Sequence, residues 1–415
     1  MPTRMLDPSR TAASHWGDGR KVWMALAQNL KIRPVLLTVH RWLALALLIL
    51  LVPVAVSGGL LVWHDEFDSL INPQRWAVSG PTVTLPPSGY LSAAQEALDQ
   101  GLQANSVRYP ESAGKPVTVS ARGPAAPGER PRFVTIYLDP PTGKVLDRME
   151  FGSSWMGILH ILHGNLFVPQ YSGRQIVGWV GVAMLILSLS GIYLWWPRNR
   201  MFLRGLRFRR TADMMNNLHH VLGFWISIPL AIVSLTGIYI SFPQTSRTLV
   251  SNVAPVSAPG QRASLNGPLA RDAALTPDRA LELALAAEPG SLPAAVFLPV
   301  STGGGRRSDG AATTPIWRVQ VRHADLPQPV TLLINDRDSS VQRPPEPLAG
   351  DRVAQWMRWI HDGQRGGIVW QIFVFLTGIL PLVFGITGVV MWWHGHQRRK
   401  ARMTAAAVAQ YGPAE

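Results

Sequence analysis

The chain has 415 residues, 47% of them hydrophobic and only 15% charged, with a net charge of +14 at pH 7. Much of the positive excess lies beside apolar runs, which argues against nucleic acid and for a membrane. Cysteine is absent, which excludes iron–sulfur clusters, thiolate metal sites, disulfides and covalently attached c-type haem.

The N-terminal segment 1–38 has no short apolar stretch followed by a cleavage site, so no removable signal peptide is expected. The first expected span is 39–63, reading VHRWLALALLILLVPVAVSGGLLVW. Its uncharged part, Trp42 to Trp63, reaches roughly 33 Å at about 1.5 Å per residue, enough for a hydrocarbon core of about 30 Å. Residues 64–174 read as a small α+β unit. Leu91 to Leu102 has helical spacing, and Val117 to Ala121, Arg132 to Leu138 and Lys144 to Met149 read as strands. Asp139-Pro140-Pro141-Thr142-Gly143 forms a tight turn between the last two.

A second span is expected at 175–196. A basic link at 197–218 follows, then a third span at 219–241. Residues 242–367 repeat the α+β pattern. Thr276 caps a helix that opens on Pro277 and runs to Ala287, and strands lie near 293–299, 315–323 and 329–335. The stretches 254–275 and 300–314 read as loops. The fourth span is 368–393, and 394–415 is a tail.

Basic residues set the topology. Lys31, Arg33 and Arg41 flank the first span, Arg198, Arg200, Arg204, Arg207, Arg209 and Arg210 fill the link, and Arg398, Arg399, Lys400 and Arg402 follow the fourth span. The positive-inside rule puts these, and both termini, in the cytoplasm. The segments 64–174 and 242–367 then lie outside.

The chain is duplicated. Set His40 on His219, and Ser57-Gly58 falls on Thr236-Gly237 without a gap. Ala44 and Gly223 each follow their histidine by about one helical turn, and Gly58 and Gly237 by about five, on the same face. That places the glycines about 27 Å along the helix from His40 and His219. The second and fourth spans echo each other as well. His163-Gly164 leads to a helix ending SGIYLWW, and His361-Asp362-Gly363 leads to one ending TGVVMWW. The two halves are related by an axis along the membrane normal, which pairs His40 with His219 on the inner side and His163 with His361 on the outer side.

Four spans, VHRW and LH starts, SG and TG dipeptides, WWP and WW exits and the stretch YLDPPTGKVLD together resemble the PepSY-associated transmembrane helix proteins over roughly 35–400. The resemblance implies a mainly α membrane protein of the bacterial inner membrane, with four transmembrane helices in two repeats and two periplasmic α+β, PepSY-like domains. It also implies a membrane oxidoreductase that carries b-type haems and reduces ferric siderophores, releasing ferrous iron.

The histidines suit that chemistry. Haem b takes neutral imidazoles on its iron and an apolar slot for its ring, and histidine at a membrane span is usually functional. Two haems are expected, with axial ligands His40, His219, His163 and His361. Gly58, Gly237, Ala44 and Gly223 are expected to pack against them. The plainer reading is that each histidine only binds headgroups or backbone carbonyls at the interface. His160, His64, His220 and His394 are further ligand candidates. The plain reading is favoured for His64 and for His396, which lies in WWHGHQRRK at the cytoplasmic exit, and His15 and His323 have no context that suggests a role. Arg174 and Arg365 are candidates for holding propionates or drawing in an anionic complex, or serve as interfacial anchors.

Partners expected are a ferric siderophore, membrane lipids and an electron donor, either a quinol or a cytoplasmic reductase, and no nucleic acid. No Gly-rich nucleotide fingerprint is present. Two other readings stay open. One is a transporter for iron or a small solute, disfavoured by spans that offer hydroxyls such as Ser188, Ser234 and Thr377 but no mid-span carboxylate. The other is a non-enzymatic periplasmic sensor or assembly protein, which leaves the paired histidines unexplained.

Overall fold

The computed structural model describes residues 32–123, 131–196, 213–257, 269–270, 272–300, 315–326 and 328–412. His15, Lys31 and the arginines from Arg198 to Arg210 lie outside the described residues, as does the expected loop at 301–314. Four described helices are long and apolar enough to cross a membrane: α1 (Ile32–Val62), α5 (Gly173–Trp195), α6 (Met214–Ser241) and α10 (Gly367–Tyr411). The expected starts of α1 and α6, 39 and 219, are late by about two turns and about one and a half, because a helix extends beyond the apolar run that identifies it. α10 continues through the whole basic tail.

The chain divides into two compact units. The helical unit comprises Met1–Ala55, Trp179–Leu235 and Ile379–Glu415. Its helices pack through small residues. A Cβ on Gly385 of α10 would lie 2.6 Å from Leu48 Cδ1 of α1. Trp195 stacks on Phe224 with ring centroids 4.0 Å apart, joining α5 to α6.

The sheet unit comprises Val56–Gly178 and Thr236–Gly378. After α1 it contains α2 (His64–Ile71), α3 (Pro87–Glu96), β1 (Gln103–Arg108), β2 (Val117–Arg122), β3 (Phe133–Leu138), β4 (Val145–Glu150) and α4 (Trp155–Asn165). After α6 it contains α7 (Pro243–Ser251), α8 (Pro277–Ala287), β5 (Leu292–Val300), β6 (Ile316–Arg322), β7 (Val330–Asn335), β8 (Val341–Gln342) and α9 (Ala349–Asp362). The expected strands and the Thr276 cap are present, and Thr276 Oγ1 accepts from Arg279 N. The helix at Leu91–Leu102 starts earlier, at Pro87, and stops at Glu96. β1 is an addition. Its sequence QANSVR alternates weakly and lacks the aromatic and β-branched content of its neighbours.

The two α+β segments were expected as separate domains. They form one antiparallel sheet, ordered β4-β3-β2-β1-β5-β6-β7-β8. β1 and β5 pair at Ser106↔Phe297, Val107↔Val296 and Arg108↔Ala295. A four-stranded meander alone would leave β1 as an unpaired edge, and pairing it with its repeat counterpart satisfies both backbones. One core serves both halves, with Tyr90, Ala94, Val107, Val119, Ala280, Ala284, Val296 and Trp317 in a single cluster. The helix starts are tied directly, since Ser88 N and Oγ both donate to the Asp278 carboxylate at 2.8 and 2.6 Å. Equivalent turns close each half. Asp139 accepts from Ser79 N at 2.7 Å, and Asp336 accepts from Ala274 N, Leu275 N and Trp317 Nε1 at 2.7–3.0 Å.

Two helices of this unit carry His160, His163 and His361. Ser154 caps α4 and accepts from Gly157 N at 3.0 Å. Only glycine fits at 157, where a Cβ would meet Phe151 O at 1.6 Å. α9 ends on Gly363 in the left-handed region, φ 78°, a conformation that glycine adopts without strain.

Candidate functional site

In the helical unit, His40 of α1 and His219 of α6 line one cavity of about 630 Å³, walled by all four spans. That volume falls in the range, roughly 300–1,000 Å³, typical of cofactor and ligand pockets. Ala44, Leu48, Gly223, Phe224, Leu230 and Phe384 supply much of an apolar lining. Ala44 and Gly223 thus sit where expected, and a Cβ on Gly223 would meet nothing within 4 Å. His220 also lines the cavity. Its ring meets that of His219 edge to face, with planes 86° apart and centroids 6.4 Å apart.

Each of the two histidines is held by a hydroxyl on another span. His219 Nδ1 lies 2.9 Å from Thr387 Oγ1 of α10, and His40 Nδ1 lies 2.8 Å from Ser190 Oγ of α5. The Thr387 hydroxyl has one hydrogen and donates it to Val383 O at 2.8 Å. It therefore accepts from His219 Nδ1–H, which leaves the Nε2 lone pair unprotonated. Ser190 Oγ also lies 3.2 Å from Leu187 O, so the same hydroxyl ties His40 to the backbone of α5. A hydrogen bond on Nδ1 with Nε2 free is the arrangement of a metal-ligating imidazole. Both imidazoles thus face one mostly apolar cavity, each held from outside it by a hydroxyl.

In the sheet unit, His163 of α4 and His361 of α9 come together, with ring centroids 5.9 Å apart and planes tilted by 37°. The sequence pairing of these two is thereby met in space. His361 Nδ1 lies 3.2 Å from Thr236 Oγ1. Gly58 and Gly237 were expected to clear room for a cofactor, and they clear it for the imidazoles. A Cβ on Gly58 would lie 2.5 Å from His163 Cε1, and one on Gly237 would lie 3.0 Å from His361 Cε1. The rings lie directly on the glycine backbone, so the dipeptides Ser57-Gly58 and Thr236-Gly237 receive histidines from α4 and α9.

The hydroxyl partners were missed by sequence reasoning, although a signal existed. Ser or Thr precedes Gly at 57–58, 190–191, 236–237 and 387–388.

Other histidines are otherwise engaged. His64 Nε2 faces Asp65 Oδ1 at 3.1 Å, and its Nδ1 lies 3.2 Å from Leu61 O, so both ring nitrogens are in use. The hydrogen bond that His64 donates to Asp65 raises the His64 pKa, and the same contact, with Lys115, holds Asp65 well below the usual carboxylate range. His160 is exposed. Its Nδ1 donates to Met156 O at 2.9 Å, and its ring lies against Phe151. His394 is exposed, and His396 is exposed and stacks on Trp392. His323 lies 3.4 Å from Glu288. Arg174 donates to Ile240 O at 2.7 Å, and Arg365 lies over the Trp359 ring at 4.0 Å, so both have protein partners. Among the described residues, no cluster of three or more His, Asp or Glu side chains suits a metal ion.

A family model described as the PepSY-associated TM region matches residues 37–394. No curated protein matches the chain. The match spans all four membrane helices, the shared sheet and both histidine pairs, and the chain belongs to the PepSY-associated transmembrane family of membrane proteins.

Proposed function

We propose that this protein is an electron carrier of a bacterial inner membrane that binds two b-type haems and reduces ferric siderophores in the periplasm. The observation that carries the reading is the helical cavity, onto which two imidazoles face with their Nδ1 atoms engaged by Ser190 and Thr387. Haem b, when bound, supplies one-electron transfer. His40 and His219 would hold one haem, and His163 and His361 the other. Ser190, Thr387 and Thr236 orient the rings. Apolar walls keep water from the helical site, and Gly58 and Gly237 let His163 and His361 reach their positions.

The net reaction is the reduction of a chelated ferric ion to ferrous by one electron, drawn from a quinol or a cytoplasmic reductase. Ferrous iron is bound far more weakly by such chelators and is released intact. The arginines flanking α1 and α10, with those of the 197–218 link, support a cytoplasmic placement for both termini and a periplasmic one for the sheet. The spans carry no mid-span carboxylate to ferry a solute, and a purely structural role leaves the oriented histidine pairs without purpose.

The test is the visible spectrum of the full-length protein purified from haem-replete cells. Pyridine haemochrome analysis should give close to two haems per chain, extractable into acidified organic solvent. A colourless, folded protein would end the reading. Topology is checked separately. A reporter fused near residue 205 should report cytoplasm, and one near residue 300 periplasm.

A further inference from the structure

The cavity of the helical unit is apolar through most of its length but not at one end. There it is lined by Arg41, Asn216, His220, His396 and Arg399. Two of these are permanent cations, and the cavity lining includes no Asp or Glu. Arg41 directly follows His40 on α1. Its Cζ lies 5.6 Å from the Trp42 ring. Its Nε is shielded from solvent and has no hydrogen-bond partner among the described residues. A buried guanidinium nitrogen without an acceptor is costly unless an acceptor arrives. Arg399 lies on α10, the helix that supplies Thr387 to His219. Two forked donors at one end of a mostly apolar slot match a ligand with a flat hydrophobic body and carboxylates along one edge.

We propose that Arg41 and Arg399 form a carboxylate clamp at the mouth of this cavity, binding the two propionates of the haem held by His40 and His219. The proposal rests on the haem reading above and adds an orientation to it, with the propionate edge turned towards Arg41 and Arg399. It also assigns work to two residues that otherwise count only as positive-inside anchors. A cation beside the cofactor favours the reduced form, which carries one positive charge fewer, so the clamp raises the midpoint potential of this haem.

The experiment uses the full-length protein in detergent or nanodiscs, with Arg41→Gln, Arg399→Gln, the double variant, and Arg41→Lys/Arg399→Lys as a charge-retaining control. Each is stripped of haem and titrated with haem b and with its dimethyl ester, which lacks free carboxylates. Wild type should bind the free acid about ten-fold or more tightly than the ester at the His40–His219 site. The double Gln variant should lose that preference, and its remaining haem there should titrate at a more negative potential. The Lys control should recover much of both. Equal affinity of wild type for acid and ester, or a double Gln variant with unchanged preference and potential, overturns the clamp while leaving the haem reading intact. A wild type that binds neither overturns both.

Discussion

His219→Ala should leave a protein with one haem, and His163→Ala should leave a protein with the other. In the helical unit, His40 and His219 line a single cavity, and each is anchored by its own hydroxyl. In the sheet unit, His163 and His361 lie within 5.9 Å, centroid to centroid. Loss of one axial imidazole leaves its partner to hold the group alone, so His40→Ala should resemble His219→Ala, and His361→Ala should resemble His163→Ala. Ferric-siderophore reduction should fail in all four. The measurement is haem stoichiometry with a redox titration on each purified variant. If His40→Ala and His163→Ala removed the same haem, the pairing would be wrong. His220, on the cavity wall, and the exposed His160 and His394 would then be next to test, with His64 behind them because Asp65 and Leu61 occupy its ring.

The second large effect is steric and graded. Gly58→Ala alone places a Cβ 2.5 Å from His163 Cε1 and 2.8 Å from its Nδ1, so the ring must leave its position. Gly58→Leu should abolish haem binding at the His163–His361 site, although Gly58 is on the helix that carries His40. Gly237→Ala faces His361 Cε1 at 3.0 Å, a contact that a shift of a few tenths of an ångström relieves, so it should only weaken that site. Overpacking of this kind costs typically about 1–3 kcal/mol. Gly223→Ala meets nothing within 4 Å and should leave the second site untouched. Haem content at each site, resolved by potential, reads the series. A Gly58→Leu protein with a normal second haem would show that His163 is not a ligand there.

Much of this was legible in the chain. The four spans follow from length and hydropathy, both local properties. The duplication follows from His40, His219 and the SG and TG dipeptides that recur in register. Repeat symmetry then paired His163 with His361, and the structure brings those two rings together. Helical period puts Ala44 and Gly223 one turn from His40 and His219, and all four line the cavity. The hairpin at Asp139 to Gly143 and the cap at Thr276 are short-range chemistry and were readable as such.

Other features depend on partners far apart in sequence. Whether a four-stranded meander stays single or fuses with its copy depends on the pairing of β1 with β5, nearly half the chain away, and no local pattern encodes it. The glycine at 58 signals a close approach, but only the packed helices show that an imidazole makes it. The hydroxyls of Ser190 and Thr387 are ordinary span residues until a neighbouring helix puts a histidine nitrogen against them. Hydropathy, charge and period act along the chain, so the sequence by itself determined the spans, their expected orientation and the histidines to watch. Steric contact and hydrogen bonding act across it, so the hydroxyl partner of each cavity histidine, the fused sheet and the identity of each glycine's neighbour were decided only by the tertiary structure.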